Sequence, residues 1–236
     1  MRAGINEGFR WVVGSNVHAC WLGHYEAEKQ AAIRRIVKPG MKVFDLGANA
    51  GFYTLAFARL VGDGGHVWAF EPLAENVRNL QRHVALNVLA NVTVVQAAVS
   101  DRAGVAGFDR SVNNSSGHLA PGGGDLVRTI ALDDFCDQAV IDCPDVIKFD
   151  IEGGESAALL GAAQLIAQGK ATILLALHGR EQEKKCLSIL QDARYVLEYL
   201  DGEAVGDALL RSDEIVAFPG TNSRVVIPAG EPACAA

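Results

Sequence analysis

"VFDLGANAGFYT", Val43 to Thr54, runs from mostly apolar residues into an acid, Asp45, and then through a small-residue turn around an amide, Asn49. That order predicts a short buried strand, a glycine-permitted turn and the start of a helix. Upstream, "YEAEKQAAIRRIV" has helical spacing and Pro39-Gly40 ends it. Downstream, a helix runs from about Phe52 to Leu60, "GDGG" turns, and "HVWAFEP" reads as a second strand. Leu73, Val77, Leu80, Val84 and Val88 then recur at helical spacing, forming a stripe that can pack on a sheet.

The alternation continues to the far end. "NVTVVQAAV" predicts a third strand, "GVAGF" and "LVRTI" extra strands around a loop from Arg110 to Gly124, and "DVIKFDI" a fourth parallel strand. "ESAALLGAAQLI" reads as one helix and "ATILLALH" as a fifth strand. After a helix carrying Cys186, Ile189, Leu190 and Ala193, "RYVLEYL" and "DEIVAF" are two strands with no helix between them. Strands alternating with helices through right-handed crossovers give an α/β, doubly wound, mostly parallel sheet with an antiparallel C-terminal strand. Its ligand belongs at the carboxyl ends of the strands. Residues 1–24, rich in aromatics, are expected as a cap or interface segment, 25–220 as the main domain and 221–236 as a tail.

Composition narrows the partners. A net charge of -7 over 236 residues argues against a surface built to grip phosphate backbones, so no nucleic acid is expected. No run of about 18 apolar residues occurs, which predicts a cytoplasmic protein without membrane contact. The five cysteines are scattered and never in a CxxC pair, so buried, reduced thiols are expected rather than a disulfide framework or a thiolate zinc site.

The opening turn has the glycines a nucleotide-like ligand needs, but Gly47-x-Asn49-x-Gly51 is not the dinucleotide spacing, and Asp45 would repel a pyrophosphate. An acid at an open strand end suits a ligand with a cationic amine or sulfonium, of which S-adenosylmethionine is an example. A purely structural tight turn is the competing account. Glu71, ending the second strand, is placed to accept hydrogen bonds from ribose hydroxyls, or to favour a helix N-terminus ahead of Pro72. Ala97 and Ala98 leave room for a flat adenine, with Ser100 or Asp101 near its amine.

"KPGMKVFDLGANAGFYTLAFARLVGDGGHVWAFEPLAENVRNLQRHVALN", followed by "DVIKFDIEGGESAALLGA", resembles the FkbM-type class I methyltransferases that depend on S-adenosylmethionine. The resemblance runs from about Tyr25 to Pro219. It implies a Rossmann-like seven-stranded sheet and release of S-adenosylhomocysteine. It also implies a cofactor held by Asp45, Gly47, Asn49, Gly51, Phe52, Tyr53 and Thr54, together with Glu71, Pro72, Asn76, Ala97, Ala98 and Asp150. Methyl transfer to a hydroxyl of a sugar, natural product or other small molecule is implied, and a homodimer is open. Relatives commonly carry a glutamate two residues before the histidine of the fifth strand; here Ala176 stands there and His178 is kept.

"FDIEGGE" sets Asp150 and Glu152 two apart at a strand end, on one face if the strand persists and separated if a turn begins at Ile151. Asp150 is the first candidate to orient or deprotonate the acceptor hydroxyl, and His178 the second. Glu152, Asn114 and Ser116 are candidate substrate contacts, the last two in a loop read as a lid or as an ordinary excursion. No metal ligand is assigned, although Asp150, Glu152 and His178 holding a divalent ion is an open alternative. Glu155 reads as a helix-dipole acid, Lys148 as a structural partner for an acid, and His18, His24 and His118 as solvent-facing. An NAD-dependent oxidoreductase and a non-catalytic cofactor-binding module are the competing functions.

Overall fold

The computed structural model describes residues 1–110, 117–120, 122–206 and 210–220. In chain order the elements are α1 (His18–Leu22), α2 (Ala27–Ile36), β1 (Lys42–Leu46), α3 (Phe52–Val61), β2 (His66–Phe70), α4 (Ala74–Leu86), β3 (Val92–Val95), β4 (Ala98–Val99), β5 (Gly104–Asp109) and β6 (His118–Leu119). They continue with β7 (Asp125–Ile130), α5 (Leu132–Ala139), β8 (Val146–Phe149), α6 (Glu155–Leu160), α7 (Ala163–Ala167), β9 (Thr172–Ala176), α8 (Arg180–Asp192), β10 (Tyr195–Tyr199) and β11 (Glu214–Pro219).

Seven strands form the main sheet in the order β10-β11-β9-β8-β1-β2-β3. All pairs are parallel except those made by β11, which runs antiparallel to both β9 and β10. The chain leaves β1 toward β2 and β3, then returns to add β8 and β9 on the other side. This reversal opens a crevice between the carboxyl ends of β1 and β8, where such sheets bind ligands.

Side chains alternate across the sheet, and the two apolar layers follow that period. Phe44, Leu46, Ile147 and Phe149 enter one core with Phe70, Leu159 and Leu175; Val43 and Val146 enter the other with Ile33, Phe57 and Val216. Each large side chain sealed this way contributes about 1.5–3 kcal/mol. The same alternation sends Asp45 and Lys148 to the face covered by α2 and α3. The register makes them direct neighbours across β1 and β8.

Three expected elements differ. "NVTVVQAAV" is not one strand: β3 stops at Val95, Ala97 N–H turns back to Val95 O, and β4 joins β7, β5 and β6 in a second sheet. "ESAALLGAAQLI" divides into α6 and α7 at Gly161, where a Cβ would lie 2.0 Å from Ser100 O, while Asp133 caps the start of α7 by accepting Gln164 N–H and Leu165 N–H. Val88 lies beyond the end of α4 with φ 52° and is exposed, so the buried stripe stops short of it. The N-terminal segment is tied into the molecule: Ile5 and Cys20 are buried in the α2/α3 core, and Asn6 donates to Phe52 O at 2.7 Å.

Candidate active site

The turn after β1 is built from left-handed residues, with φ 73° at Gly47, 50° at Asn49 and 95° at Gly51. Asparagine tolerates that region better than most side chains. The two glycines are also demanded by close approach. A Cβ on Gly47 would lie 1.9 Å from Asp150 O, and one on Gly51 2.3 Å from Leu80 Cδ1. The first glycine therefore lets the ends of β1 and β8 meet, and the second lets α4 pack on the turn.

Glu71 locks the same turn from β2. Its Oε2 accepts Asn49 N–H at 2.9 Å, and its Oε1 accepts Leu73 N–H at 3.0 Å and the Asn76 amide at 3.1 Å. Burial raises its pKa, against the pull of those donors. Beside it lies a cleft that is partly open to solvent. Its lining combines Gly47, Asn49, Glu71, Pro72, Asn76, Asp150 and Glu152 with the apolar Ala97, Ala98, Val99, Phe108 and Leu119.

Asp45 is corrected: it is not at an open strand end. It is wholly buried, accepts Thr54 Oγ1 at 2.6 Å and pairs with Lys148 Nζ at 3.0 Å. Gly51, Phe52, Tyr53 and Thr54 likewise stand behind the turn rather than on the cleft wall. Phe52 and Tyr53 pack in the α2/α3 core, where Tyr53 Oη donates to Glu26 at 2.5 Å. Asn114 and Ser116 lie outside the described residues, as do positions 111–113, 115 and 121 of the loop expected as a lid. Asp101 is exposed, and neither it nor Ser100 lines the cleft.

β8 ends at Phe149, before the acids, yet Asp150 and Glu152 still converge, because Glu152 adopts φ 60° and folds the loop back. His178, just beyond β9, faces both: Nε2 lies 3.9 Å from Asp150 Oδ1 and 3.4 Å from Glu152 Oε2. Its Nδ1 lies 2.7 Å from Glu155 Oε1, and that hydrogen bond is the main reason its pKa rises to about 9. Asp150 Oδ2 faces Lys29 at 3.2 Å and Lys148 at 3.7 Å. Burial alone would raise the Asp150 pKa; Lys148, Lys29 and His178 overcome it and hold the carboxyl near about 2.

Sequence reasoning passed over Lys29 and read Glu155 as a helix-dipole acid; the structure places Glu155 against His178. Lys29 is buried on α2 and also pairs with Glu26 at 2.8 Å and with Glu214. Only its place in an otherwise ordinary amphipathic helix was visible beforehand. Ala176 sits directly across the strand pair from Glu214, so a carboxylate is brought to that face from β11.

One atom each from Asp150, Glu152 and His178 lie within 4.8 Å of one another, a spacing a divalent ion could bridge. The chain already answers these charges with Lys29, Lys148 and the His178 proton. We assign no metal to the cluster.

The model of the family described as "Methyltransferase FkbM domain" matches residues 45–207. Among solved structures, the methyltransferase FkbM of Methylobacillus flagellatus KT superposes with a TM-score of 0.54 at 22% identity, over 81% of this chain and 50% of that one. The chain thus spans half the length of that protein. A SAM-dependent O-methyltransferase from Thermotoga maritima gives 0.51 at 15% identity, over 84% and 67% of the two chains. A putative rRNA methylase from Clostridium thermocellum gives 0.50 at 19%, over 78% and 88%. No curated protein matches the chain.

Proposed function

This chain belongs to the FkbM methyltransferase domain family, and from that premise we propose that it moves the methyl group of S-adenosylmethionine to a hydroxyl oxygen of a polar small molecule or glycan. The carrying observation is that Asp150 and Glu152, which line the cleft together with Glu71 and Gly47, both face His178 Nε2, at 3.9 and 3.4 Å. The residues fit the cofactor. The apolar lining at Ala97 and Ala98 suits adenine, Glu71 retains acceptor capacity for ribose hydroxyls, and the acid-lined end beside Gly47 and Asp150 suits the cationic methionine end.

When bound, S-adenosylmethionine supplies an electrophilic methyl on a sulfonium. The chain's own task is to hold an acceptor oxygen in line with it, since alignment of reacting atoms supplies much of the acceleration in such displacements. Asp150 orients the hydroxyl but is too weak a base to take its proton, because two lysines stabilise its charge. His178, in its neutral form, takes that proton on Nε2, the ring nitrogen facing Asp150 and Glu152, so transfer should speed up as pH rises toward about 9. The acids at this mouth and the net charge of -7 favour neutral or cationic acceptors over a phosphodiester backbone.

Calorimetric titration with S-adenosylhomocysteine, and with NAD as the rival, tests the cofactor. Binding of NAD alone would overturn the reading. Label transfer from S-adenosylmethionine to a panel of glycosides and phenols, run beside an rRNA transcript, tests the acceptor. Labelling confined to the RNA would reject a small-molecule hydroxyl.

A further inference from the structure

His178 has three carboxylates around its ring, and they are not equivalent. Asp150 and Glu152 stand off Nε2 at 3.9 and 3.4 Å, beyond a good hydrogen bond, and both are partly open to solvent. Glu155 alone bonds the ring, at Nδ1, and its side chain is fully buried. Glu155 Oε1 also accepts Gly153 N–H at 2.9 Å, which ties the acid to the left-handed turn carrying Glu152. Its Oε2 is buried with no hydrogen-bond partner among the described residues.

A sealed carboxylate with one bare oxygen is costly as a mere helix-dipole acid, because the same charge could be met by water at the helix surface. It becomes reasonable when an imidazolium answers it. The ring in turn gains one fixed orientation out of the two that its nitrogens allow. Each side chain accounts for the other.

We propose that Glu155 is the positioning residue for His178: by accepting Nδ1–H it fixes the tautomer of the neutral ring and turns Nε2 toward Asp150 and Glu152, the two acids on the cleft wall, as the atom that exchanges a proton with the acceptor hydroxyl. This rests on the methyl-transfer reading above, which it deepens. The proton balance is direct. Starting from the neutral ring with its proton on Nδ1, the hydroxyl proton passes to Nε2 to give the imidazolium that Glu155 answers, the oxygen bonds the methyl carbon, and the carbon–sulfur bond breaks to leave a neutral thioether. Glu155 stays ionised throughout. The groups that face the ring are Glu155 from α6 and Asp150 and Glu152 from the loop after β8, with Lys148 on β8 and Lys29 on α2 behind Asp150 and His118 on β6 acting on Glu152.

The test needs no acceptor. Protein labelled with ¹⁵N-histidine is titrated by NMR, and the His178 signals are assigned by their loss in His178→Asn. The wild-type ring should titrate near 9 and, once neutral, carry its proton on Nδ1. In Glu155→Gln the midpoint should fall by about one pH unit or more, since an adjacent opposite charge shifts a pKa by that order. Glu155→Asp should recover part of the shift. An unmoved midpoint in Glu155→Gln overturns the proposal. So does a neutral wild-type ring protonated on Nε2, a result available even if the variants fail to fold. Titration of the wild type with S-adenosylhomocysteine is scored separately: absent binding sinks the methyl-transfer reading while the NMR result still stands or falls by itself.

Discussion

Lys148 Nζ lies 3.0 Å from Asp45 Oδ1 inside the sheet, with both side chains closed to solvent and joined by the pairing register of β1 and β8. Lys148 also donates to Leu46 O at 3.3 Å and Gly47 O at 3.4 Å, so the pair holds the strand end from which the turn departs. Breaking such a pair from one side leaves a buried charge uncompensated, at about 3–5 kcal/mol. Asp45→Leu and Lys148→Met should each show a loss of that size in urea unfolding, and the two together should lose less than the sum of the single changes. Unfolding midpoints close to wild type in both single variants would contradict this.

Glu71 fixes three donors of the cofactor turn and its neighbour. Replacing it by Gln keeps the volume but removes the charge from those bonds, each worth about 1.5–3 kcal/mol when charge-assisted. S-adenosylhomocysteine should bind about ten- to a hundredfold more weakly to Glu71→Gln by calorimetry. Unchanged affinity would remove Glu71 from the binding site.

The two glycines of the turn should respond differently to alanine. Gly47 faces the backbone oxygen of Asp150, which cannot swing aside, whereas Gly51 faces the tip of Leu80. Both changes also force a side chain into left-handed backbone, at about 1–3 kcal/mol. Gly47→Ala should therefore lower the melting temperature more than Gly51→Ala, and Leu80→Ala should partly relieve Gly51→Ala. The reverse ranking would mean that the close contact at Asp150 is not what selects glycine.

Glu214 and Ala176 are direct neighbours in an antiparallel pair, so their side chains share a face about 4.5–5.5 Å apart. Glu214→Ala should destabilise the protein by removing an acid from Lys29, and adding Ala176→Glu should restore part of the loss. No recovery in thermal melts of the double variant would show that position 176 cannot reach the cluster.

His178 gives stability a pH signature. Its folded pKa lies near 9, above its ordinary 6.5, because of Glu155. A raised cation pKa stabilises fully below 6.5, and that contribution fades as pH climbs through about 9. The gap in melting temperature between wild type and His178→Asn should thus be widest near pH 6 and narrow toward pH 9. A gap constant over that range would mean the ring is not protonated in the folded protein.

Much of this fold was legible in the sequence because β1, β2, β8 and β9 are short apolar runs set between strong breakers, and parallel strands covered on both faces have no other composition available. The turn at Gly47 to Gly51 and the acid at Glu71 were legible for the same local reason. What failed depends on partners distant in sequence. Nothing near Gly161 announces the Ser100 carbonyl that divides the helix, and nothing near Asp45 announces Lys148. Charge clusters are worse still. Lys29, Asp150 and Glu214 come from three remote segments; the motif singles out Asp150, but Lys29 and Glu214 look like ordinary surface residues until register and packing bring them to it.

That last cluster has a consequence for biogenesis. Lys29, which steadies Asp150, is itself steadied by Glu214 on β11, and both lie outside residues 45–207. Until β11 is synthesised, Lys29 has Glu26 and Asp150 as its acids but not Glu214. A chain cut before that strand would keep residues 45–207 and lack the carboxylate that completes the Lys29 cluster.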